Sequence, residues 1–147
     1  MPFSQLFTIL FPFVLQIEKL NLGSNRFHGT IPSELGRLFN LKRVALQNNE
    51  VSGTIPTEVG LLSKVEYINI RTNNLVGTLP SELGLCQQMN YFSVSTNKMT
   101  GTIPSELFLC VHLEKLNFPG NDFTGTIPSS ISQLQQLNAR KSFKQLQ

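Results

Sequence analysis

The chain repeats itself every 24 residues without a single insertion. Segments beginning at Ile17, Leu41, Val65, Met89 and Leu113 fall into one register and define five units, 17–40, 41–64, 65–88, 89–112 and 113–136. A unit this short cannot bury its own apolar face. Units of 20–50 residues therefore stack, and the stack supplies one continuous core that no single unit has. This one feature excludes most folds open to a chain of 147 residues, which would otherwise make one ordinary domain.

Each column of the repeat carries a physical instruction. The pattern is L-x-x-L-x-L-x-x-N-x-L-x-G-T-I-P-x-x-L-x-x-L-x-x, with other apolar residues replacing Leu in places. Leu20 and Leu22, like Ile68 and Ile70, alternate with polar neighbours, the period of a strand with one face buried. The asparagines Asn25, Asn49, Asn73, Asn97 and Asn121 follow that strand, where the chain bends inward. A buried amide there bonds backbone groups that the bend leaves unpaired, so the five are expected to form a structural ladder. The glycine column, Gly29 to Gly125, marks a place with no room for a β-carbon or with positive φ. Proline followed by Ser/Thr-Glu then opens a short helical turn, with Glu34, Glu58, Glu82 and Glu106 in its first turn, favourably for the helix dipole. The expected result is one parallel sheet on the inner side, its strands beginning near Glu18, Lys42, Glu66, Asn90 and Glu114.

Strand residues that point away from the core line up across the turns. One column reads Lys19, Arg43, Tyr67, Tyr91, Lys115; the next Asn21, Ala45, Asn69, Ser93, Asn117; the third Gly23, Gln47, Arg71, Ser95, Pro119. Strands about 4.8 Å apart make this a platform on the order of 20 Å long. The chain's only two tyrosines stand side by side near its middle, with Arg43 and Arg71 beside them. Tyrosine and arginine are the side chains most often found as binding hot spots, so Tyr67, Tyr91, Arg43, Arg71, Asn69, Lys19 and Lys115 are the candidate ligand-binding residues. The competing reading is that the aromatics merely cover a sheet face that suits them.

Other chemistries find little support. His28 and His112 occupy different repeat positions, Asp122 is the sole aspartate, and no Ser or Cys is paired by sequence with a base, so no catalytic residues are expected. Nothing in the pattern calls for a cofactor or a metal. The net charge of +3 owes much to Arg140, Lys141 and Lys144 at the end, and is no argument for nucleic acid. No apolar run approaches the roughly 18–20 residues of a membrane-spanning helix. Cys86 and Cys110, 24 residues apart, take the core position held by Leu38, Leu62 and Leu134 and read as reduced core thiols rather than a bridge. The threonine column Thr30, Thr54, Thr78, Thr102, Thr126 reads as a set of caps for the turn before I-P, or as a hydroxyl ladder able to order water, as on an ice-binding face.

The two ends read differently from the middle. Phe3, Phe7, Phe11 and Val14 keep the register of a preceding half-repeat, which makes 1–16 a degenerate cap. Ile9, Leu10, Phe13 and Leu15 are apolar too, which suits a signal-peptide core, although a basic n-region and a small-residue cleavage site are missing. At the other end Arg140 and Ser142 take strand-core positions of a sixth turn. The segment 137–147 therefore reads as a truncated repeat or as a cap, in which Leu134, Leu137, Phe143 and Leu146 could line up on a helix.

The G-x-I-P element within a 24-residue period resembles the plant-type subclass of leucine-rich repeats. That subclass forms ectodomains of receptor-like kinases and receptor-like proteins, and polygalacturonase inhibitors. The variants G-T-I-P-S-E-L-G and L-G-L-C-Q-Q also resemble leucine-rich-repeat proteins predicted from algae. The resemblance runs from Ile17 to about Leu137. It implies an α/β solenoid: a right-handed superhelix with a parallel β-sheet on the concave face and short 3-10 or helical turns on the convex side. It further implies a non-catalytic, receptor-like or signalling module that binds a protein or peptide on its inner face, outside the cell or at its surface, with a cytoplasmic setting as the alternative. A structural or surface protein, ice-binding included, and an inhibitor of a secreted hydrolase are the other classes. Three features depart from the subclass: paired-cysteine caps are absent, none of the thirteen asparagines begins an N-x-[ST] sequon, and no kinase motif is present.

Overall fold

In the computed structural model, the residues described are Pro2, Phe3, Gln5 and 16–137. Phe7, Phe11 and Val14, and at the other end Arg140, Ser142, Phe143 and Leu146, lie outside them.

Each turn begins with a three-residue strand: β1 (Lys19–Asn21), β3 (Arg43–Ala45), β5 (Tyr67–Asn69), β7 (Tyr91–Ser93) and β9 (Lys115–Asn117). These pair in parallel, in the order β1-β3-β5-β7-β9, each residue opposite its equivalent 24 positions on, as Lys19 is opposite Arg43 and Tyr67 opposite Tyr91. Strand residues Val44, Ile68, Phe92 and Leu116 point the other way, into a core shared by all turns.

The expectation of one sheet needs correction. A second parallel sheet of five strands runs along the flank: β2 (His28–Thr30), β4 (Glu50–Gly53), β6 (Asn74–Gly77), β8 (Lys98–Gly101) and β10 (Asp122–Phe123). Its cause lies in the bend between the sheets. Val51, Leu75 and Met99 turn inward from it and are fully buried, so the flank covers the core as the first sheet does. Once the chain has turned, its outward N–H and C=O groups face those of the next turn and pair with them. Gly53 and its equivalents permit the corner, with φ between +74° and +88° in the column. A β-carbon on Gly77 would also meet the methyl of Thr54, one turn back, at 2.9 Å.

The asparagine column makes the bend possible. Asn73 Oδ1 accepts the N–H of Val51 at 3.0 Å, while its Nδ2 donates to the carbonyls of Leu46, Ile70 and Arg71 at 3.0–3.2 Å. Asn97 repeats the set one turn later. Burial is graded along the column rather than uniform: Asn73 and Asn97 are buried, Asn49 and Asn121 half-buried, Asn25 exposed. Burial thus falls from the middle of the stack toward its two ends.

On the outer side each turn closes with a five-residue 3-10 helix: Ser33–Arg37, Thr57–Leu61, Ser81–Leu85, Ser105–Leu109 and Ser129–Gln133. Pro at the N-cap supplies no side-chain bond, and none of the five helices has a side-chain cap. The threonine column is therefore not a set of caps. Its side chains instead place their methyls against the glycine of the next turn, as Thr30 Cγ2 does at Gly53.

Cys86 and Cys110 are free and buried. Each thiol donates to a backbone carbonyl of the preceding turn, Val59 at 3.5 Å and Leu83 at 3.4 Å. At the start of the chain, Phe3 is fully buried and packs edge-on against Phe27, its equivalent 24 positions later, with ring centroids 6.2 Å apart. At the end, Leu134 is buried and caps the last 3-10 helix, and Leu137 follows in a turn; among the described residues neither sits on an α-helix.

Candidate concave binding face

The strand register sets the site. Because residues 24 apart are directly opposite in parallel strands, any side chain pointing away from the core is carried next to its equivalent. Tyr67 and Tyr91 are brought together in this way and stack face to face, centroids 4.4 Å apart and planes within 13°. Arg43, one turn earlier, lays its guanidinium over the free face of Tyr67, with Cζ 3.6 Å from the ring centroid. A cation over a tyrosine face is attracted by the ring quadrupole, worth roughly 0.5–1 kcal/mol where solvent reaches it. The three side chains form one half-buried slab across three turns.

Asn69 lies beneath the slab rather than on its surface. It is only 5% exposed, and its Nδ2 donates to the Tyr67 hydroxyl at 3.0 Å while its Oδ1 accepts the N–H of Arg71 at 3.3 Å. A side chain so covered orients Tyr67 and is a positioning residue. Arg71 is exposed at the edge of the slab, and Lys19 and Lys115 are exposed at its two ends, in register with Arg43 and Tyr91.

Sequence reasoning missed a second part of the face. Beyond Tyr91 lies an open hollow of about 400 Å³, bounded by Arg71, Tyr91, Ser93, Ser95, Asn117 and Pro119 among others. Ser93 and Ser95 stand in the same columns as Asn69 and Arg71, and their hydroxyls are 3.3 Å apart. The columns show these residues in line; that they surround a hollow depends on the short side chains between two bulky rows. No group of His, Cys, Asp or Glu able to hold a metal ion occurs among the described residues. No helix among them is long and apolar enough to cross a membrane.

The Leucine Rich Repeat family model matches residues 16–38 and 112–134, the first and last of the turns. The ectodomain of the plant membrane receptor kinase GASSHO1/SCHENGEN3 from Arabidopsis thaliana, solved with CASPARIAN STRIP INTEGRITY FACTOR 2, superimposes with a TM-score of 0.81 at 40% identity. That match covers 82% of this chain and 14% of that one. This is a plant-type leucine-rich-repeat protein. A second similar structure is the Arabidopsis receptor kinase HAESA, in complex with the peptide hormone IDA and the co-receptor SERK1: 32% identity, TM-score 0.82, covering 86% of this chain and 21% of that one. A plant ice-binding protein is also similar, at 25% identity and a TM-score of 0.77, over 81% of this leucine-rich-repeat chain and 39% of the other. The chain thus spans well under half the length of these structures. No curated protein matches it.

Proposed function

We propose that this chain is a non-catalytic recognition module that binds a peptide or protein across its concave sheet, outside the cell or at its surface. The observation that carries the reading is the Arg43–Tyr67–Tyr91 slab. Its members are held by neighbouring rings and by Asn69, on the three strands β3, β5 and β7, each paired on both sides, so little order remains to be imposed on binding. Tyrosine adds a large amphipathic contact with only two side-chain torsions. Arg71, exposed beside the slab, offers a planar fork suited to a carboxylate. One of the similar structures, the receptor kinase HAESA, was solved with a peptide hormone, which is the same kind of ligand.

The test is titration of alanine variants against a peptide selected on the immobilised protein. Tyr67→Ala or Tyr91→Ala is expected to cost about 2 kcal/mol, roughly a thirtyfold loss of affinity. Glu34→Ala or Glu82→Ala on the outer side should leave affinity within about twofold. The reverse pattern would sink the reading.

A second reading, ice binding, is favoured by one observation. Thr30, Thr54, Thr78, Thr102 and Thr126 are all exposed, and the methyls of the first four are seated against the glycines of the following turns, so the column is regular. A similar structure is a plant ice-binding protein. Thermal hysteresis decides between them: recognition predicts none, whereas hysteresis abolished by Thr54→Tyr would make ice the ligand.

A further inference from the structure

The aromatic slab has two unlike ends. Arg43 covers the outer face of Tyr67, and Tyr67's other face lies against Tyr91. Since the register runs Arg43, Tyr67, Tyr91, Lys115, the second face of Tyr91 looks toward the fifth turn. There it forms a wall of the 400 Å³ hollow, which Ser93, Ser95 and Asn117 also line. Resting on the concave-face reading above, we propose that this hollow is the subsite for a tyrosine side chain of a bound peptide, which becomes the fourth member of the stack, with a neighbouring carboxylate of the peptide on Arg71.

Three features select that chemistry. The wall is a flat π-face already stacked on its far side, and a second ring can meet it as Tyr91 meets Tyr67, offset and parallel. Ser95 is half-buried and shares one hydrogen bond with the buried Ser93 beneath it, which leaves a lone pair of the Ser95 hydroxyl for a phenol; an aliphatic side chain would desolvate this group and return nothing. None of the lining residues is acidic and Arg71 is the one charged group among them, so a carboxylate is favoured and a lysine or arginine of the ligand is repelled.

The experiment follows the Tyr91 ring resonances of the full chain by NMR while capped dipeptides are added to about 10 mM, a range that detects the weak binding of so small a probe. Acetyl-Tyr-Asp-amide is expected to shift the Tyr91 ring protons upfield, as a stacked ring requires. Acetyl-Leu-Asp-amide and acetyl-Tyr-Asn-amide should bind at least about fivefold more weakly. Asn117→Phe, which fills the hollow, should abolish the shift; Ser95→Phe does the same from another column if the first variant fails to fold. Equal binding of the Leu and Tyr peptides overturns the proposal, as does absence of any shift. Shifts confined to Arg43 and Tyr67 and indifferent to Asn117→Phe overturn this subsite while leaving the wider concave reading in place, which the Tyr67→Ala and Tyr91→Ala titrations judge separately.

Discussion

At the scale of the residue, one amide per turn replaces the partners that a sharp bend takes from the backbone. Asn73 satisfies one buried N–H and three carbonyls drawn from two turns. Leucine keeps the branched shape and the number of side-chain heavy atoms but makes none of these bonds, so Asn73→Leu leaves the Val51 N–H buried without its acceptor. The expected loss is about 1–3 kcal/mol, visible as a lower urea midpoint, and an unchanged midpoint would remove the ladder from the argument. The thiols show the same dependence on burial through acidity. Desolvation pushes Cys86 up to about 12, helped by the nearby Cys110, and raises Cys110 to about 11 by burial. Both start from an ordinary value of 9.0, so above that pH the unfolded chain releases thiol protons that the folded chain keeps. The thiol contribution is therefore intact below pH 9 and is lost as pH rises toward 11–12. Two thiols can remove roughly 1–3 kcal/mol of stability per pH unit within that window. Thermal melts from pH 8 to 11 on wild type and on Cys86→Ala/Cys110→Ala check it: the double variant should show the shallower alkaline decline.

At the scale of the element, no helix or strand here would persist alone. Five-residue 3-10 helices and three-residue strands are too short to repay the order they impose. What holds the helices is their approach to one another. A β-carbon on Gly60 would come within 2.5 Å of the Glu82 carbonyl oxygen, and one on Gly84 would meet that of Glu106 just as closely. The obstacle is backbone, which cannot swing aside as a side chain can. Gly60→Ala should therefore splay two turns and cost about 1–3 kcal/mol by denaturant titration, though alanine is the better helix former. In the fourth turn Phe108 takes this place and is fully buried.

At the scale of the molecule, the stack is quasi-one-dimensional and its surfaces are ladders. One of them is apolar: Leu61, Leu85 and Leu109 occupy the same position of three successive outer helices and are 53%, 60% and 49% exposed. Such a row promotes self-association at high concentration. Leu85→Ser should lower the apparent mass in sedimentation at high concentration while changing stability by less than about 0.5 kcal/mol, because the side chain is mostly in solvent already. A large drop in stability would instead show Leu85 to be part of the core.

The sequence by itself determined the period, the positions of the inner-sheet strands to within a residue, and which side chains share a column. These follow from alternation, spacing and the residue types of the bend, all of them local, and a 24-residue register turns local pattern into neighbourhood. It could equally list Arg43, Tyr67 and Tyr91 as neighbours. Only the tertiary structure decided that they form a stack, that Asn69 lies beneath and holds a hydroxyl, and that the hollow beyond Tyr91 is empty of bulk. The flanking sheet was missed for the same reason: its strands pair with other turns, and such pairing leaves no period in a short segment. The left-handed residues make the point most directly. Asn48, Thr72 and Thr96 take φ of +53° to +57°, a region that a β-branched threonine enters at a cost. The N–H of Thr72 reaches the Ser95 carbonyl at 2.8 Å, and that of Asn73 the Thr96 carbonyl at 3.2 Å. Bonds to the next turn hold a conformation that no local preference would select.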